Sequence, residues 1–181
     1  MGRIFAITNQ KGGVGKTTTA VNLAAGLASL EKRVLLIDLD PQGNATMGSG
    51  IDKRHLEKTV YHILLGLADA SDACMRAEHA GYDILPANRD LAGAEVELVG
   101  EAEREYRLKR ALDAVVEDYD YILIDCPPAL NMLTVNALVA AQSVMIPMQC
   151  EYFALEGLSD LVNTVKKVKT KLNPGIEISG L

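Results

Sequence analysis

Hydrophobic residues in this chain gather in short runs separated by mixed segments. Four runs, at residues 4–8, 34–38, 121–125 and 144–148, are almost continuous, the pattern of strands buried on both faces. A weaker run at 83–86 and a last one at 176–181 read as two further strands. Between the runs, apolar positions return at helical spacing. Residues 20–30 are nearly apolar all round, as expected of a helix sandwiched against a sheet. Residues 101–117 read as a more exposed helix, with Leu108, Leu112, Val115 and Val116 as its apolar stripe. Glu103/Arg107 and Glu105/Lys109 are favourable i,i+4 pairs along it. Leu155, Leu158, Val162, Val165, Val168 and Leu172 make another stripe, with Lys167 and Lys171 opposite and Pro174-Gly175 as the stop. The Gly-rich, polar stretch 44–54 reads as a loop. Strand and helix in alternation predict an α/β fold: a three-layer parallel β-sheet with helices on both faces.

Composition narrows this picture. A chain of 181 residues, 49% hydrophobic and 23% charged, is expected to form a single globular domain over 1–181. No apolar run reaches membrane-spanning length, and Met1-Gly2-Arg3-Ile4 leads directly into a strand, so neither a membrane partner nor a signal peptide is expected. Cys74, Cys126 and Cys150 are odd in number and lack C-x-x-C spacing, which argues for reduced thiols and a cytoplasmic location. His55, His62 and His79 show no ligand spacing. A net charge of −6 and a pI near 5.1 argue against nucleic-acid binding by the surface as a whole. DNA contact would need a local patch, for which Lys166, Lys167, Lys169 and Lys171 are the candidate; such a run is more often a solvated helix face.

The most informative stretch follows the first strand. Residues 9–18 read Asn-Gln-Lys-Gly-Gly-Val-Gly-Lys-Thr-Thr, and strand, glycine loop, helix is the order of a phosphate cradle. Backbone N–H groups across Gly12, Gly13, Val14 and Gly15 can turn inward on a polyphosphate, with Thr18 continuing the contact into the helix. Lys16 supplies a point charge for the β and γ phosphates, and Thr17 offers a hydroxyl to Mg²⁺. The pattern G-x-x-x-x-G-K-[ST] is not met, because Gln10 holds its first position while Lys11 stands directly ahead of Gly12-Gly13. This is the deviant form of the P-loop.

Open parallel sheets bind ligands at the carboxyl ends of their strands, and two runs end there in acids. One ends Asp38-Leu39-Asp40-Pro41-Gln42-Gly43-Asn44, the other Asp125-Cys126-Pro127-Pro128. Carboxylates at such ends can hold Mg²⁺, directly or through its waters, and can orient an attacking water. Asp40 and Asp125 join Thr17 as the candidate metal set. Asp38 either supports one of these sites or closes its strand structurally.

With Lys11 ahead of the glycines, the loop resembles that of the partitioning and positioning ATPases, the ParA (Soj), MinD and nitrogenase iron protein group. The segment 41–46 and the segment 148–157 are similar to ParA in particular, Asp-Leu-Asp-Pro-Gln-Gly-Asn to its switch I and Ile-Leu-Ile-Asp-Cys-Pro-Pro to its Walker B and switch II. The three scattered cysteines do not supply an iron protein's cluster framework, and no amphipathic membrane helix of the MinD kind closes this sequence.

The resemblance implies an ATPase using ATP and Mg²⁺, in which Lys11 reaches the partner's nucleotide in an ATP-dependent homodimer. Lys16 would hold phosphate, Asp40 would position the hydrolytic water, and Asp125 would act through the Mg²⁺ hydration shell. It further implies DNA binding without sequence preference and hydrolysis stimulated by a ParB-type centromere-binding protein, on a nucleoid in the cytoplasm. Members of the group continue beyond the last strand of this sequence, so the expected domain is incomplete at its C-terminus. Two rivals stand beside this reading: a MinD-like membrane-associated regulator and a nucleotide-gated switch with negligible turnover.

Overall fold

The computed structural model describes residues 2–149 and 154–180. Cys150, the neighbouring positions 151–153, Leu181 and the Leu155 side chain, all used in the reading above, lie outside the described residues.

The chain alternates as expected through β1 (Arg3–Ile7), α1 (Lys16–Ser29), β2 (Val34–Asp38), α2 (Asn44–Gly48), α3 (Val60–Leu64), α4 (Ala70–Ala73), β3 (Met75–Ala77), β4 (Tyr82–Leu85) and α5 (Leu91–Glu97). It continues through α6 (Arg107–Asp113), β5 (Tyr121–Asp125), α7 (Met132–Ala140), β6 (Ser143–Met145), α8 (Ala154–Lys171) and β7 (Glu177–Gly180). The strands lie in one sheet in the order β3-β4-β2-β5-β1-β6-β7. Every pairing is parallel except β3 with β4, so the sheet is mixed at one edge, where the sequence predicted a wholly parallel one. β3 was not anticipated: Met75-Arg76-Ala77 is too short and too exposed to carry a strand pattern.

The period of two in the strands sorts their side chains between two cores. Ile4, Ala6, Leu35, Ile37, Ile122 and Ile124 face one side, where they meet Ile63, Leu91, Leu108, Leu133, Leu161 and Val165 from α3, α5, α6, α7 and α8. Ile7, Val34, Leu36, Ile84 and Leu123 face the other, against Ala20 and Ala24 of α1 and Ala45 of α2. Helices thus cover both faces, but unequally. Of the apolar residues of α1 only Ala20 and Ala24 are fully buried, with Val21, Leu23, Ala25, Leu27 and Ala28 half-buried against the same core and Thr18, Asn22, Gly26 and Ser29 exposed along its outer side, so one side of this apolar helix meets solvent.

Three other expectations are corrected. The stretch 44–54 is not all loop: Gly43 turns left-handed, at φ 62°, and launches α2. The apolar run at 144–148 leaves the ladder after Met145, and Pro147 beyond it has no N–H to offer a neighbour. The predicted helix over 101–117 is broken into a 3₁₀ turn at Arg104–Tyr106, α6, and a second 3₁₀ turn at Val116–Asp118. Glu103 adopts φ 53°, which interrupts helical hydrogen bonding ahead of it. The ion pairs rearrange accordingly: Arg107 meets Glu101, Arg110 meets Glu103, and Lys109 meets Asp113. The stripe itself holds, with Leu108, Leu112, Val115 and Val116 all buried.

Asn136 of α7, fully buried, fastens this broken segment. Its Oδ1 accepts the Leu108 N–H at 3.1 Å, and its amide donates to Arg104 O at 2.9 Å and Met132 O at 3.1 Å. Asn136→Leu would leave the Leu108 N–H without a partner in an apolar surround, and should cost about 2–4 kcal/mol. Urea denaturation checks this; a loss below about 1 kcal/mol would show that water or a local shift replaces the bonds.

Candidate functional site

Unstaggered parallel pairing brings three strand ends level. Ile7 of β1 stands beside Asp125 of β5, and Asp125 beside Asp38 of β2. This is the edge where open parallel sheets hold ligands.

Beyond Ile7 the chain enters the glycine loop, fastened at its base by Asn9. The buried Asn9 amide donates to Pro147 O at 2.9 Å, and its Oδ1 accepts the Lys11 N–H at 3.0 Å. Gly13 and Gly15 adopt φ 73° and 89°, the left-handed region where a side chain is strained. A Cβ added at Gly12, Gly13 or Gly15 would meet nothing within 4 Å, so these positions face open space. Gly15 begins α1 without a side-chain cap, which leaves the first-turn N–H groups of a 14-residue helix available to an anion. Val14, 7% exposed, plugs the loop into the protein.

Lys16 folds back beneath the loop, with only 7% of the residue exposed, and donates to Lys11 O at 3.0 Å. Burial lowers its pKa, while the charges of Asp125 and Asp40 act to raise it. The Thr17 hydroxyl donates to Asp125 Oδ2 at 2.7 Å. Asp125 is fully buried and its Oδ1 has no hydrogen-bond partner among the described residues. Burial drives its pKa up to about 7; the Thr17 hydrogen bond opposes the rise, and the charges of Asp38 and Asp40 add to it. Cys126, beside it, is buried, and its thiol is pushed well up by burial. It has no nucleophilic part here.

Asp38 is also fully buried but is saturated with donors. Its Oδ2 accepts Thr46 N at 2.8 Å and Thr46 Oγ1 at 2.7 Å, and its Oδ1 accepts Asp40 N at 3.2 Å. Burial raises its pKa to about 6 against these hydrogen bonds. These bonds tie the end of β2 to the segment 40–46. Asp40 is half-buried; its Oδ1 accepts Gln42 N at 2.9 Å and its carbonyl accepts Gly43 N at 2.8 Å.

Gly12, Gly13, Gly15, Lys16, Thr17, Thr18, Asp40, Gln42, Asn44 and Pro128 line one cavity of about 380 Å³. Asp125 stands beneath it through Thr17. A larger hollow, about 470 Å³, lies between α3, α4 and α6, but its arginines are already paired with Glu101 and Glu103. The convergent donors mark the smaller cavity as the chemical one.

The set fits a phosphate chain with a divalent cation. Glycine amides and Lys16 suit the anion, while the Thr17 hydroxyl beside an orphaned, buried carboxylate oxygen suits a hard cation. Among the described residues no three His, Cys, Asp or Glu side chains converge on a point. Such a cation would therefore share its ligands with the phosphates, as Mg²⁺ commonly does. Sequence reasoning missed Asn9 as the loop's fastener, Gln149, whose amide donates to Gly13 O at 3.2 Å, and Thr46. Their signal is tertiary: each is an ordinary polar residue until the fold supplies its partner.

A glycine loop between a central parallel strand and its helix, above acids on neighbouring strand ends, defines a P-loop nucleotide-binding protein. The family model described as an AAA domain matches residues 2–178. The chain is 60% identical over 181 residues to the sporulation initiation inhibitor protein Soj of Bacillus subtilis, covering 100% of this chain and 72% of Soj. It is 53% identical to the chromosome partitioning protein ParA of Caulobacter vibrioides, covering 99% and 68%. Among solved structures it is similar to a cobyrinic acid a,c-diamide synthase of Mycobacterium smegmatis with bound ATP analogue and magnesium. That match has TM-score 0.96 and 45% identity, and covers 100% of this chain and 74% of the synthase. The chain belongs to this AAA-domain family, as a P-loop ATPase of the deviant type related to ParA and Soj.

The buried acids set a pH dependence. Their folded pKa values stand above those of the unfolded chain, so the native state binds more protons between about pH 4 and pH 7. Their stabilising contribution is therefore complete below the unfolded pKa and is lost as pH rises through the folded values of about 6 and about 7. Without nucleotide or divalent metal, the domain should be about 2–3 kcal/mol more stable near pH 5.5 than near pH 8. Asp125→Asn should remove most of that difference. Denaturation at the two pH values tests it, and an unchanged slope in the variant would remove Asp125 as its source.

Proposed function

We propose that the cavity binds ATP with Mg²⁺ and hydrolyses it, and that the chain works as a ParA-type partitioning ATPase. The observation that carries the first half is the Thr17–Asp125 hydrogen bond directly below an open glycine loop and a buried lysine. The 60% identity to Soj supports the second half.

In this reading the loop amides and Lys16 hold the β and γ phosphates, Lys16 exchanging its contact with Lys11 O for phosphate oxygen. Thr17 and Asp125 hold Mg²⁺, directly or through its waters, and so does Asp40 where its carboxylate reaches. Bound there, Mg²⁺ supplies charge neutralisation across the phosphates. Asp40 orients the attacking water. Lys11 acts across a dimer interface on the partner's nucleotide, so two subunits associate with ATP and separate once the γ phosphate is gone. The dimer binds DNA without sequence preference, and a ParB-type protein stimulates turnover. The exposed lysines of α8 are the candidate DNA contact; Lys169 already spends one donor on Ile176 O.

A nucleotide-gated switch with negligible turnover is the second reading. It draws on the turn at Asp40, whose Oδ1 is occupied by the Gln42 N–H. Asp40→Ala separates the two: a hydrolase should keep ATP affinity and ATP-dependent association yet lose about a hundredfold in hydrolysis rate. Unchanged turnover would make Asp40 a turn residue only.

Lys16→Ala should abolish ATP binding in equilibrium dialysis, because the other phosphate donors are backbone amides. Lys11→Ala should bind Mg-ATP as a monomer and fail to dimerise. If Lys11 acts within its own subunit, its loss would instead weaken ATP binding by about 1.5–3 kcal/mol. ATP affinity and ATP-dependent molar mass, measured in parallel on this chain and on one extended to the length of Soj, decide between them.

A further inference from the structure

Thr46 does not line the cavity, yet it joins three segments that frame it. A hydroxyl carries one proton, and the Thr46 hydroxyl accepts the Ala87 N–H at 2.9 Å. Its own proton must therefore go to Asp38 Oδ2, at 2.7 Å. Asp38 passes the constraint on through Oδ1, which accepts the Asp40 N–H. Thr46, Asp38 and Ala87 are all fully buried, so no solvent replaces a missing member.

The far end of this relay is rigidly held. Pro86 O accepts the Val60 N–H at 2.9 Å, which ties the 86–87 peptide to the start of α3. The near end packs closely against the next peptide along, since a Cβ on Gly43 would stand 2.8 Å from Ala87 O. The segment from Asp40 to Asn44, which contributes three of the cavity's lining residues, is thus clamped from behind at two points.

We propose that Thr46 is a positioning residue for hydrolysis: through Asp38 it anchors the Asp40 turn to the Ala87 peptide and sets where the Asp40 carboxylate stands over the phosphates. This rests on the assignment of Asp40 to the attacking water. The main phosphate contacts do not depend on the relay, because the glycine loop and Lys16 are built on β1 and α1.

The test compares Thr46→Val, which keeps the shape and removes the hydroxyl, with Thr46→Ser, which restores it. Thr46→Val should lower the kcat for ATP hydrolysis at least about tenfold with KM within about twofold, and Thr46→Ser should stay within about threefold of the parent. In an Asp40→Ala background, adding Thr46→Val should change the rate little, since the positioned group is gone. Folded Thr46→Val protein with parental kcat, or a loss that multiplies undiminished on Asp40→Ala, overturns the relay. A parental rate in Asp40→Ala alone overturns the site assignment on which it rests, whereas slow Asp40→Ala with fast Thr46→Val overturns the relay only. If Thr46→Val does not accumulate as folded protein, Asp38→Asn is read by the same criteria, because its amide sets a donor against donors.

Discussion

The level alignment of Ile7, Asp125 and Asp38 at one edge of the sheet governs everything built above it. Because β1 lies beside β5 and β5 beside β2, the glycine loop leaving β1 opens directly over Asp125, the acid ending β5. Thr17 sits one residue into α1, close enough to bond that acid. A shift of one residue in either pairing would turn Asp125 to the other face. The alternating apolar side chains prevent that shift. Moving β5 by one place would exchange Ile122 and Ile124 with Leu123 between the two cores, one closed by α3 to α8 and the other chiefly by α1.

Charges held at that edge are costly, and the protein treats its two deeply buried acids differently. Asp38 is satisfied by three donors from the chain itself, which makes it part of the scaffold. Asp125 has one hydroxyl partner and, among the described residues, one oxygen with no hydrogen-bond partner. Similar burial with opposite satisfaction is what the proposed division between a structural acid and a ligand-binding one requires. The sequence, in which both are strand-end aspartates, does not draw that distinction.

Much of the fold was legible because the central strands are buried on both faces. β1, β2 and β5 came from continuous apolar runs, correct to a residue or better. β6 was placed too late because Ile146 is apolar and buried yet lies beyond the ladder. The broken helix before β5 was hidden for a related reason: its stripe is intact, and the break comes from Glu103 and from Asn136, over thirty positions away in the chain. The loop residues and strand-end acids were readable because their chemistry is local, a glycine loop between strand and helix and carboxylates at strand ends. Thr46 and Asn9 were not, because a hydroxyl or an amide acquires its role only from a partner that the fold delivers.

Asp40 shows how a turn-forming role and the proposed chemical one fit in a single side chain. Its Oδ1 closes a turn with Gln42, the ordinary use of an aspartate after a strand. That turn consumes one of two carboxylate oxygens and, in doing so, fixes the direction of the other. The backbone of the same residue is held by Asp38, and the turn's glycine is pressed against Ala87. A carboxylate placed only to shape a turn needs no second clamp from a buried neighbour. One that must meet a small ligand within a few tenths of an ångström does, because misplacement there is felt in rate long before it is felt in stability.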